Sequence, residues 1–226
     1  MLHDDSEPVK MFLMVGESSS SSSIVDATER VGGRLCLDFV NTRASHFHEH
    51  AREYVGDYVD LVHWLRACDG GLDARQAARL ATAARAHPRR AASVFAHSRT
   101  LRDLLYRVFA SSARGESPAR ADLDAFNREA ASALAQRRLE PAGEQWRWAW
   151  SDESALELPL WQVLASGVDL LVDDDRERLR QCPAPDGCGW LFYDVSKNGA
   201  RRWCSMRMCG NGAKARRFQQ RQREGS

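Results

Sequence analysis

The sequence predicts a mainly α fold: a helical N-terminal domain with a small β-hairpin, then a small four-cysteine module with a basic C-terminal helix. Three observations predict it. Apolar residues recur at helical spacing in segment after segment between residues 52 and 172. One stretch, 137–152, switches to period two. Four of the six cysteines fall between residues 182 and 209, just ahead of the most basic part of the chain.

The helices follow in order. Arg52 to Ala67 sets Tyr54, Val55, Tyr58, Leu61, Val62 and Leu65 on one stripe, and Gly70 and Gly71 stop it. Residues 72–87 start with Asp73 as N-cap and end before Pro88. Residues 88–115 carry Val94, Phe95, Leu101, Leu104, Leu105, Val108 and Phe109, a long helix with one buried stripe. Ser117 before Pro118 opens another. After a turn at 141–143, Trp146, Trp148 and Trp150 alternate with polar or small residues, which predicts a short antiparallel hairpin with its tryptophans packed on helices. An aromatic ligand pocket is the alternative use of those rings. A final helix is expected from about Pro159, running into the cysteine region.

Composition narrows the function. The chain has 226 residues and is 43% hydrophobic, enough to bury a core. No run approaches the ~18 apolar residues of a membrane span. The apolar patch from Met11 to Val15 follows acidic residues and is too short for a signal-peptide core. A cytoplasmic protein with no membrane partner is expected. Ser18 to Ser23 predict a disordered leader over 1–23, a folded helical domain over 24–176 and the cysteine module over 177–226. From Arg176 onward there are 12 Lys/Arg and 4 Asp/Glu; the rest of the chain has 20 and 27. An acidic body with a basic tail points to a polyanionic partner, DNA or RNA.

Cys36 and Cys68 stand alone in apolar surroundings and read as core residues. Cys182, Cys188, Cys204 and Cys209 form C-x5-C, fifteen residues, then C-x4-C. Two close pairs at hairpin distance are how four thiolates converge on a tetrahedral zinc ion. Four thiolates leave no open position, so the site reads as structural. Pro and Gly surround the first pair, Trp190 to Tyr193 supply a small apolar cluster, and 196–199 signal a turn, so the fifteen residues read as a hairpin or knuckle. Ser205 can cap a helix presenting Arg207, Lys214, Arg216, Arg217, Arg221 and Arg223. With Arg201 and Arg202 these are the candidate phosphate contacts. Arg201, Arg202 and Arg207 also lie where they can offset the thiolate charge. Gln219, Gln220 and Gln222 can read base edges, or be ordinary solvent-facing helix residues.

The residues from Leu191 to Phe218 resemble the CGNR-type zinc finger at the C-terminus of bacterial ABATE-domain proteins. Gly32 to Ala44, GGRLCLDFVNTRA, is similar to the opening of the ABATE domain itself. The resemblance implies a stress-response transcription regulator: a mostly helical domain sensing a ligand or partner, and a module binding zinc through the four cysteines, and DNA. Two departures stand out. The family's Cys-Gly-Asn-Arg reads Cys209, Gly210, Asn211, Gly212 here, and the first cysteine pair is one residue wider. The lost arginine bears on phosphate contact or bracing of the thiolates.

Other candidates have plainer readings. His46, His48 and His50 with Glu49 can bind metal from a strand face, but read as a solvated loop. Asp38 and Asn41 share a helix face, as a ligand-contacting pair or as a cap and buried hydrogen-bond partner. No nucleophile setting, P-loop, dinucleotide fingerprint or repeat is present, so an enzyme is not expected. The rival to a DNA-binding regulator is a small-molecule-binding or stress-metabolism protein whose zinc module is structural or protein-docking only.

Overall fold

The computed structural model describes residues 29–47, 51–183 and 188–224. Residues 1–28, with the expected leader, and His48, Glu49 and His50 lie outside them. Pro88 cannot continue the helix before it and starts the next, because its missing N–H is an orphan in a first turn anyway. The result is α4, Pro88–Ala113, the spine of the molecule. Its buried stripe includes Leu101, Leu105, Val108 and Phe109, as the spacing predicts.

Around it stand α1 (Leu35–Val40), α2 (Tyr58–Arg66), α3 (Ala74–Ala86), α5 (Arg120–Leu134) and α6 (Leu158–Val172). Asp73 caps α3 in a full capping box with Gln76. The sequence places the start of α2 six residues early. Residues 52–55 are irregular instead, and Glu53 forms an isolated bridge with Arg43. That non-helical stretch lets Glu53 meet Arg102 of α4 in a bidentate pair at 2.6 and 2.7 Å, with Arg102 only 4% exposed. No helix among the described residues is long and apolar enough to cross a membrane.

The expected tryptophan hairpin forms from β1 (Arg137–Ala142) and β2 (Gln145–Trp150). Its packing differs from expectation. Trp150 meets Trp161 of α6 at 6.0 Å, but Trp146 and Trp148 are 70% and 56% exposed, and Ala149 is buried instead. The hairpin stands out from the body, so only its base touches helices.

The last helix of the body also ends early. Asp173, Asp174 and Asp175 follow Val172, and three carboxylates at a helix C-terminus oppose its dipole. Asp173 turns to extended backbone there. A short 3-10 turn at Arg176–Arg178 leads into β3 (Leu179–Gln181), which pairs antiparallel with β4 (Leu191–Tyr193). The hairpin therefore encloses the first cysteine pair rather than filling the space between the pairs. It rests on α1 and α4, and Leu191 and Tyr193 belong to the main core. A π-helical turn, Met206–Gly210, and α7 (Asn211–Glu224) complete the chain.

Candidate metal centre and basic helix

Cys182 follows β3, and its N–H donates to the Trp190 carbonyl at 2.8 Å, closing the knuckle. Gly189 holds φ at +64°, a conformation that favours glycine, and the Phe47 ring lies over the place a Cβ would take, at 2.4 Å. Cys204 and Cys209 come from the turn capped by Ser205, whose Oγ accepts from the Met208 N–H at 3.3 Å. The four sulfurs all lie within 4.8 Å of one another. Cys188 and Cys204 are 3.6 Å apart, and Cys204 and Cys209 are 3.5 Å apart.

These separations are far longer than the ~2.05 Å of a disulfide. They match a tetrahedron of sulfurs about 2.3 Å from a central cation, whose edges are about 3.8 Å. Thiolates alone fit the site poorly. Hydrogen bonding with the Cys182 thiol raises Cys188 and Cys204 above the ordinary thiol range, with burial adding to it, and burial raises Cys209. A cation among the four turns that penalty into a gain. The donor set is that of a metal ion held for structure.

A second apolar cluster surrounds the thiols: Trp190, Phe192, Trp203 and Ala213, with Val31 and Tyr54 against it. Arg201 is built into this cluster. It stacks on Phe192 at 4.5 Å and donates to the carbonyls of Trp203, Val31 and Cys204. The sequence groups Arg201 with the phosphate contacts, but its guanidinium is committed inward beside the thiols. Arg202 is exposed over the Trp203 ring, and Arg207 is exposed and paired with Glu29.

The module is fastened to the body by the GGRLCLDFVNTRA segment. Asn41, 1% exposed, bonds both backbone groups of Leu191. Trp190 Nε1 donates to the Arg43 carbonyl, and the Tyr193 N–H to that of Gly32. Asp38 accepts from the Gly32 N–H at 2.7 Å, which shapes the loop that Tyr193 meets. From α4, Tyr106 donates to the Gly189 carbonyl and accepts from Gln181. His46 stacks on Tyr106 at 3.6 Å and meets the Val40 carbonyl; burial lowers its pKa to about 4, so it is neutral. It is a packing residue and is not one of the four clustered metal-ligating side chains. The polar breaks at Asp38 and Asn41 were the only sequence signal of this fastening, and nothing in the sequence named Leu191 as the partner.

Beyond Ala213, helix α7 leaves the body. Every residue from Lys214 to Arg223 is exposed, including Phe218 at 64%. At about 100° per residue, Lys214 and Arg221 share one edge and Arg216 and Arg223 the opposite one. Phe218, Gln219 and Gln222 lie between the two edges; Gln220 and Arg217 lie on the other side.

Residues 33–174 match the sequence model of the ABATE family, described as "Putative stress-induced transcription regulator". Residues 178–222 match that of the CGNR zinc finger. No curated protein matches the chain.

Proposed function

The chain belongs to the ABATE family and ends in a CGNR zinc finger, and from this we propose that it is a DNA-binding transcription regulator rather than an enzyme. Residues 24–176 form its sensing domain and 177–226 its DNA-binding module. Zinc is the metal. It is held by Cys182, Cys188, Cys204 and Cys209, and it supplies a rigid, closed cross-link with no position for substrate. Arg201 offsets part of the thiolate charge and braces the cluster.

The observation that carries this reading is α7. A helix whose exposed length has five cations, no acid and a single large apolar residue gains nothing from standing free in water. It gains a great deal in the major groove of duplex DNA. Cations on two opposite edges suit the two phosphate backbones that flank the groove. Phe218, Gln219 and Gln222 then face the bases, where glutamine suits adenine and an aromatic ring suits the thymine methyl. Arg202 and Arg207, exposed at the base of α7, extend the same positive surface. The zinc cluster sets the direction in which α7 leaves the body.

Fluorescence anisotropy of the zinc-loaded protein on a labelled mixed-sequence duplex, at rising NaCl, tests this. Binding that weakens steeply with salt is expected. No binding at about 50 mM NaCl overturns the reading, and a clear preference for structured RNA reassigns the partner.

A further inference from the structure

A cleft of about 790 Å³ opens where α1, the loop after α2, the base of the tryptophan hairpin and α6 meet. Its size falls within the range of small-ligand sites. Two of its lining side chains carry buried polar atoms with no hydrogen-bond partner, the Nε of Arg137 and the Oε1 of Gln162. Such atoms are rare because each costs desolvation without return. Both atoms are closed to water as the side chains stand, so each is satisfied only if its side chain turns toward a group bound in the cleft.

The surroundings narrow the chemistry. Arg137 is held by aromatic faces and makes no ion pair among the described residues. Its guanidinium lies 4.9 Å from the Trp148 ring centre and 5.6 Å from that of Trp150. Rings fix its direction and leave its charge for an anion. Gln162 Oε1 needs an N–H or O–H donor, and Asp38, Asp69 and Asp169 line the same cleft as carboxylates; of its other cations, Arg34 is paired with Asp173 and Arg30 lies close enough to Asp38 to favour its charge, which leaves Asp69 and Asp169 for a ligand. One wall therefore asks for an anion and another for a cationic donor.

We propose that this cleft is the effector site and that it takes a small zwitterion of the α-amino-acid type, carboxylate on Arg137 and ammonium toward Gln162 and the aspartates. The proposal rests on the reading of residues 24–176 as a sensing domain. The cleft is also joined to the zinc module. Gly33 and Arg34 line it, Arg34 stacks on the Tyr193 ring at 4.0 Å, and the Tyr193 N–H bonds Gly32. A ligand that orders this loop acts directly on β4.

The test is a thermal-shift screen of the full zinc-loaded chain with each of the protein L-amino acids and, as controls, their α-amides. At least one free amino acid should raise the melting temperature by about 5–10 °C at a hundredfold excess over its Kd. Its amide, lacking the carboxylate, should bind at least about tenfold more weakly. Arg137→Gln and Gln162→Met should each abolish the shift. Gln162→Met should also melt higher than the parent without ligand, since it removes an orphaned acceptor, whereas a merely structural Gln162 would melt lower. No shift with any amino acid, or an unchanged shift in either variant, overturns the proposal. Duplex binding is measured on the same preparation without amino acid, so a failure there strikes the DNA reading alone.

Discussion

Asn41 grips Leu191 by both backbone groups: its side-chain amide donates to the Leu191 carbonyl at 2.8 Å and its oxygen accepts from the Leu191 N–H at 3.0 Å. The side chain thus acts as one rung of a β-ladder, 150 residues away in sequence. Asn41→Leu fills similar space and satisfies neither group. Two buried backbone groups left without partners should cost about 3–4 kcal/mol, or about 10 °C in Tm. Asn41→Asp keeps the acceptor but turns an oxygen toward the Leu191 carbonyl, and should fall between. Melting curves of the three proteins check the order; a loss below about 1 kcal/mol for Asn41→Leu would mean that core burial alone seats β4.

Metal loss should reach only part of the molecule. One zinc ion per chain is expected by mass spectrometry of reduced protein, and Cys204→Ser should remove it. Leu191 and Tyr193 lie in the main core while Trp190, Phe192, Trp203 and Ala213 surround the thiols. The metal-free variant should therefore keep the body helices and lose α7, which among the described residues buries only Ala213. Circular dichroism would register a small loss of helix. A collapse of the whole helical signal would show that the body depends on the metal.

Much of this was legible in the sequence for one reason: local signals decide it. Asp73 and Gln76, Pro88, and the stripe from Val94 to Phe109 each act within a few residues. What depends on distant partners was not. The alternation of Trp146, Trp148 and Trp150 identifies a strand, yet it does not say that the hairpin projects and leaves two of the rings in water. Leu179 and Gln181 sit in a helix-compatible stretch, and only pairing with Tyr193 and Leu191 makes them a strand. The thiol spacing announced the cluster; the inward turn of Arg201 depended on Val31, which no local pattern links to it.

Asp38 should give the protein a measurable pH dependence. Burial holds its carboxyl up at about 6, and the Gly32 N–H and Arg30 only partly pull it back. The unfolded chain loses that proton near about 3.9. Between those values the folded state binds more protons, so stability from this group is greatest below about pH 4 and is lost as pH rises toward about 6. His46, lowered by burial to about 4, works the opposite way. Comparison with Asp38→Asn isolates the carboxyl, because asparagine can still accept from Gly32. The variant should gain on the parent as pH rises from about 4 to 6, by about 3 kcal/mol in all, and hold that gain above it. Urea unfolding at several pH values measures it; a constant difference would place the Asp38 carboxyl at its ordinary value.

The two edges of α7 should each contribute to DNA binding. Arg216→Ala with Arg221→Ala removes a cation from each edge of the helix while leaving the buried base at Ala213 intact. Affinity should fall on every duplex sequence alike, and the slope of log K against log salt should become shallower by about 2 units. Gln219→Ala should instead change the ranking among sequences with little change in slope. An unaltered salt slope in the double variant would remove α7 from the interface.

Gly212 stands where the family motif has arginine, and the two ways of seating it have opposite consequences. A glycine with positive φ would end one turn before a second helix, and any side chain there would strain the backbone. Gly212 is not among the residues with positive φ; it lies in the first turn of α7, directly after the π-helical turn. There is also room, since the nearest atom to an added Cβ is a guanidinium nitrogen of Arg216 at 3.6 Å, the end of a flexible side chain. Gly210 differs: a Cβ there would strike the Met206 sulfur at 2.6 Å and crowd Trp203. Gly212→Arg should therefore gain most of the ~1 kcal/mol that glycine costs inside a helix. Repulsion with Arg216 one turn on gives back about 0.2–0.5 kcal/mol. The net expectation is a zinc-loaded module more stable by about half a kcal/mol and a duplex affinity raised by the added cation. Gly210→Arg, at a crowded position two residues away, should destabilise the same module. Melting curves of both variants with zinc bound decide the matter, and a lower Tm for Gly212→Arg would mean that the arginine needs a partner this chain no longer has.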